Sequence, residues 1–150
     1  MTEAYEVALA KNGELVFTPG GISMLPLLGH HKNPVVLVPV KGRLKKGEVP
    51  FYKRESGQYV LHRIMKVRKD SYDLCGDNQV IIEHGVTDAM IFAKMVGFYR
   101  DGEYVSVEEK WVKRYAKRRM ASRPWRYAAF KINNFWHRVW RHMAKIVKRK

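Results

Sequence analysis

The sequence has one cysteine, Cys75, no long apolar run, and almost no acid in its last third. A single thiol excludes an internal disulfide and suits a reducing compartment. Its neighbours Leu74 and Gly76 suggest a small packed side chain rather than a reactive one. The longest apolar stretch runs only from Val35 to Val40, far short of the roughly 20 residues that a spanning helix needs. The opening MTEAYEVALAKNGE lacks both the basic start and the apolar core of about 7 to 15 residues that mark a secretory leader. These absences predict a cytoplasmic chain.

Acid is missing from one end only. Residues 1–105 carry 14 Lys and Arg against 12 Asp and Glu, whereas residues 106–150 carry 15 against Glu108 and Glu109 alone. The net charge of +15 therefore belongs to a tail, and the sequence divides into a nearly neutral domain, 1–105, and a basic, aromatic-rich extension, 106–150. His30 and His31 are adjacent and His84 lies far along the chain, which fits solvated rings better than a metal set.

The domain is patterned as strands. After a short helix over Glu3–Lys11, closed by Asn12 and Gly13, come ELVFTP, VVLVPV, EVPFYKRE, QYVLHRIMKVRK, SYDLCG, QVIIEH, MIFAKMVGFYR and EYVSV. SGQ, RKDS and RDGE between them read as hairpin turns. The expected fold is mainly β: a small, twisted, antiparallel, barrel-like sheet followed by amphipathic helices. At Ser106 the apolar period changes to about 3.6, and SVEE forms a capping box that opens a helix. Ser122, Arg123 and Pro124 predict a break and a second helix, with Trp125, Ala128, Ala129, Ile132, Trp136, Val139, Met143 and Ile146 on one stripe.

Three polar residues in apolar surroundings carry candidate chemistry. Ser23 follows Gly20 and Gly21, which let the backbone turn sharply, and precedes Pro26, which stiffens it. His62 shares a strand face with Val60 and Ile64, where a neutral imidazole suits the general-base role a serine hydroxyl requires. Asp77, in the CGDN turn, is a candidate third member that would orient the imidazole.

The order G-x-S-M-x-P, then Gly47-Glu48-Val49, then Y-V-L-H-R-I, then G-D-N resembles the signal peptidase I and LexA-type serine peptidase superfamily over about Gly13 to Tyr104. The H-R-I context resembles its histidine-type members from the endoplasmic reticulum and archaea rather than those with a lysine base. The resemblance implies a β-rich peptidase fold without metal or organic cofactor. Ser23 would be the nucleophile with its own N–H in the oxyanion hole, His62 the base and Asp77 the acidic partner. Gly21, Ile22, Met24 and Pro26 would shape the nucleophile turn. It also implies an extended peptide substrate, cleaved after small side chains and paired with a sheet edge. A non-catalytic, peptide-binding member of the same fold is the alternative.

The tail admits three partners. Trp111, Tyr115, Trp125, Trp136 and Trp140, set among Arg114, Arg118 and Arg138, suit a membrane interface. The same composition suits nucleic acid, although no base-reading module accompanies it. The apolar stripe could also pack on the β domain or on a second copy.

Overall fold

The computed structural model describes residues 3–147. Helix α1, Glu3–Asn12, ends where Gly13 takes φ 73° and returns its N–H to the Leu9 carbonyl at 2.9 Å. Among the described residues nine strands follow: β1 Leu15–Phe17, β2 Val35–Pro39, β3 Pro50–Lys53, β4 Tyr59–Leu61, β5 Arg63–Val67, β6 Tyr72–Cys75, β7 Glu83–Val86, β8 Ile91–Arg100 and β9 Glu103–Ser106. All are antiparallel. β1, β2, β8, β3 and β4 lie side by side in a curled sheet that β9 extends from β8, and β5, β6 and β7 form a second, three-stranded sheet. The expected mainly β architecture is present.

The turns follow their residues. Gly57 at φ 83° closes β3–β4, and Asp101 and Gly102, at φ 53° and 85°, close β8–β9. Two cores result. One gathers Leu27, Leu37, Phe51, Met95 and Phe98 under the larger sheet, and the other gathers Tyr52, Ile64, Tyr72 and Leu74 between the sheets.

Three expectations are corrected. QYVLHRIMKV is not one strand: it divides at His62 into β4 and β5, which belong to different sheets. QVIIEH becomes a strand only from Glu83, because Arg126 and Arg123 of the following helix take the carbonyls of Gln79 and Val80. The break at Ser122–Pro124 is absent, and α2 runs unbroken over Lys110–Val147 with Pro124 inside it. Proline removes a ladder bond there. The Ser122 hydroxyl and Arg126 both donate to the Arg119 carbonyl in the preceding turn, and Arg119, Arg123 and Arg126 tie both sides of Pro124 to the 77–80 loop. The capping box forms as read: Ser106 Oγ accepts from Glu108 N–H, and Glu109 Oε1 accepts from Ser106 N–H, each at 3.2 Å.

The first half of α2 belongs to the β domain. Val112 is buried in the larger core, with Val105, Val107 and Tyr115 packed against it. No helix among the described residues is long and apolar enough to cross a membrane.

Candidate active site

The Ser23 loop is pinned from both ends. Met24, Leu27 and Leu28 are buried in the larger core, and Leu28 N–H reaches the Met24 carbonyl at 3.0 Å. Gly21 and Ile22 remain exposed, and a Cβ at Gly21 would meet nothing within 4 Å. The bond before Pro26 is cis.

Ser23 leans on the end of β6. Its carbonyl accepts the Asn78 N–H at 2.7 Å. A Cβ at Gly76 would stand 2.7 Å from Ser23 O and 3.0 Å from Ser23 Cβ, so only glycine permits this approach. The β5–β6 ladder pairs Arg63 with Cys75. The ladder begins with that pair, so His62 and Gly76 flank it on the same side. Ser23, against Gly76, and His62, next to Arg63, therefore both lie at this end of the β5–β6 ladder. Among the described residues no hydrogen bond joins Ser23 Oγ to His62.

His62 is 4% exposed. Its Nδ1 lies 3.3 Å from Tyr52 Oη, and Tyr52 Oη donates to Glu83 Oε2 at 2.6 Å. Glu83 is held from its other side by Arg54, whose Nε and Nη2 donate at 2.8 and 2.5 Å. This chain settles the tautomer. Tyr52 has one proton and gives it to Glu83, so its oxygen accepts from His62 Nδ1–H, and Nε2 carries the free lone pair.

The electrostatics agree. Burial holds the His62 imidazolium pKa down at about 4, with nearby Arg54 adding to the effect, while Glu83 and then Asp77 oppose it. The ring is neutral at pH 7, the form a general base requires. Hydrogen bonds from Arg54 keep the Glu83 carboxyl below its usual range against the cost of burial. Burial, then the hydrogen bond to Glu83, push the Tyr52 phenol up, so it stays protonated and able to donate.

Comparisons with protein-family models, with curated proteins and with solved structures found no match.

Asp77 is not the partner of His62. Its two carboxylate oxygens receive Arg63 Nε and Nη2 at 2.8 and 2.7 Å, and Tyr115 Oη donates at 3.1 Å. Arg119 and Arg126 donate to its backbone carbonyl at 2.5 and 3.0 Å. The side chains on either side of the β5 entrance point oppositely, as strand pleating requires: His62 meets Tyr52 and Glu83, whereas Arg63 meets Asp77. Asp77 thus braces the loop on which Ser23 rests, and α2 braces Asp77.

Removing one member of so buried an ion pair leaves a charge uncompensated. Asp77→Ala is expected to cost about 3–5 kcal/mol in denaturant unfolding.

Among the described residues no group of three His, Cys, Asp or Glu could hold a metal ion. His84 pairs with Asp73 at 2.8 Å, and the rings of His30 and His31 pack on each other. Cys75 is buried, donates to the Ile81 carbonyl, and has its thiol pKa pushed up by burial. Of the tail residues, Trp111 is committed to the domain, against Phe98 and bonded to Glu109. Arg114, Arg118, Trp125, Trp136, Arg138 and Trp140 are exposed.

Proposed function

We propose that the chain is a serine endopeptidase of the signal-peptidase and LexA-like kind, hydrolysing an extended peptide through an acyl-enzyme on Ser23. What supports this reading is that Ser23, against Gly76, and His62 lie at the same end of the β5–β6 ladder, with the His62 ring kept neutral by burial and bonded through Nδ1 to Tyr52.

The steps follow from that tautomer. As Ser23 Oγ attacks the scissile carbonyl, its proton passes to His62 Nε2 and a C–O bond forms. The imidazolium created is stabilised through Tyr52 by the Glu83 carboxylate. Collapse breaks the C–N bond and returns the proton to the leaving amine, and water then reverses the sequence to release the acid. The oxyanion is met by the backbone N–H of Ser23, since Gly21 offers no side chain. The substrate strand adds to a sheet edge by main-chain hydrogen bonds, which suits hydrolysis of a peptide leader.

The test is phosphonylation of Ser23 by a fluorophosphonate, with loss of fluoride, as a function of pH. Only the neutral imidazole accepts a proton, so the rate rises as pH rises through the His62 pKa. The expected midpoint is near 4, with a plateau through neutrality, in place of the ordinary imidazole value of about 6.5. A rate that ignores pH, or labelling that survives Ser23→Ala, would sink the reading.

The same shift predicts acid sensitivity. The folded-state pKa lies below the unfolded one, so the unfolded chain binds more protons between them. Stability from His62 is complete above about 6.5 and is lost as pH falls towards 4. Denaturant midpoints of wild type and His62→Gln across that window should diverge accordingly; parallel curves would contradict the buried neutral ring.

A further inference from the structure

Helix α2 buries one face in its first half and shows an apolar face elsewhere in its second. At 100° per residue, Val112, Ala116, Arg119 and Arg123 point to the β domain, and Trp125, Ile132, Trp136 and Val139 lie roughly 160° around the axis from them. The apolar stripe therefore cannot fold onto the domain that the same rigid helix already covers. Trp125 is 81% and Trp140 77% exposed.

A groove of about 1180 Å³ opens between residues 41–49 and α2. Its floor is apolar, with Val49, Met95, Val107 and Met120. Its rim is basic: Lys41, Lys45, Lys46 and Lys117 line it and form no ion pair among the described residues. Lys117 and Ala121, which line the groove, share the helix sector of Ile132, Phe135 and Val139. Val112, Ala116 and Met120 form the groove's inner wall towards the domain, so it is the outer rim at Lys117 and Ala121 that borders the stripe.

We propose that the lysine-rimmed groove and the aromatic stripe of α2 form one docking surface for an anionic lipid bilayer. The chemistry favours this occupant. The stripe is apolar on one side for about 23 Å, while Asn133, Asn134, His137 and Arg138 take the other, which is the pattern of a helix lying in the interface plane. The tryptophans bury their rings among acyl chains and keep their N–H groups wet. The lysines then lie over headgroup phosphates, each raising partitioning several-fold. A second copy docked through the same patch would set cationic groove against cationic groove. Nucleic acid would require the cations among the aromatics, whereas Arg138 and Arg141 lie off the stripe. None of this depends on the Ser23 chemistry.

The experiment is sedimentation of the full chain with vesicles of phosphatidylcholine alone and of phosphatidylcholine mixed with phosphatidylglycerol. Wild type should pellet with the mixed vesicles, less so with rising salt, and show a blue shift of tryptophan emission. Trp125→Ala/Trp136→Ala/Trp140→Ala should lose at least about tenfold in partitioning to both. Lys41→Ala/Lys45→Ala/Lys46→Ala/Lys117→Ala should lose the preference for the anionic vesicles. These side chains are exposed at the surface, so thermal melts of both variants should match wild type. Sedimentation unchanged by either variant would overturn the proposal. So would absence of vesicle binding together with a wild-type dimer that the tryptophan variant dissolves, or with salt-sensitive binding of single-stranded RNA.

Discussion

Replacing His62 by alanine is expected to slow acylation of Ser23 by on the order of 10⁴ to 10⁶-fold, close to the effect of removing the serine itself. The magnitude follows from the weakness of a serine hydroxyl whose proton has nowhere to go. His62 is buried and neutral, and its Nδ1–H is occupied by Tyr52, which leaves Nε2 as the lone pair the proposed step uses. The measurement is a time course of labelling for wild type, Ser23→Ala and His62→Ala, each first shown to melt cooperatively. A His62→Ala protein that labels at the wild-type rate would remove the base from the mechanism.

The second large effect lies one residue further out. Tyr52→Phe removes the oxygen that accepts Nδ1–H and donates to Glu83, and the 3.7 Å gap between Nδ1 and Glu83 Oε2 is too long for a direct bond. The imidazole would lose both its tautomer preference and the stabilisation of its charged form. A fall of about 10² to 10⁴ in acylation rate is expected, by analogy with disturbing the carboxylate of a serine triad. Glu83→Gln should fall in the same range, since it keeps the shape and removes the charge. Because both are positioning residues, their signature is a lowered rate with a moved pH midpoint. Lost activity with an unchanged midpoint, or equal loss in a variant of an unrelated buried tyrosine such as Tyr72, would mean that Tyr52 only packs.

The proposed site is partly legible in the sequence, for reasons that particular residues make plain. Ser23 and His62 announce themselves because a glycine-rich turn and a lone imidazole in an apolar strand are local signals. The acid does not. Asp77 sits in a conspicuous turn, but pleating turns its neighbour Arg63 towards it and His62 away. Glu83 reaches His62 only because β7 pairs with β6, placing Glu83 opposite Leu74. That is a register between segments, which no single stretch encodes. The available hint was a carboxylate directly following the apolar Val80, Ile81 and Ile82. Tyr52 reads from sequence as one more aromatic strand residue, and its role appears only once the two sheets meet.

The fold shows the same division. Turns at Gly57 and Asp101–Gly102 and the box at Ser106–Glu109 were readable, because each is settled within a few residues. Pro124 was misleading. A proline breaks an isolated helix, but here three arginines anchor the turns around it to the carbonyls of residues 77–80, and those tertiary bonds outweigh the lost ladder bond. The same bonds leave residues 79–82 outside any strand.

One measurement bears most directly on the central claim: peptide mapping by mass spectrometry of the wild-type chain after reaction with a fluorophosphonate at neutral pH. The account predicts a single adduct on the peptide containing Ser23, absent from Ser23→Ala and from His62→Ala. An adduct on another residue, or none on a chain that remains folded, would contradict it.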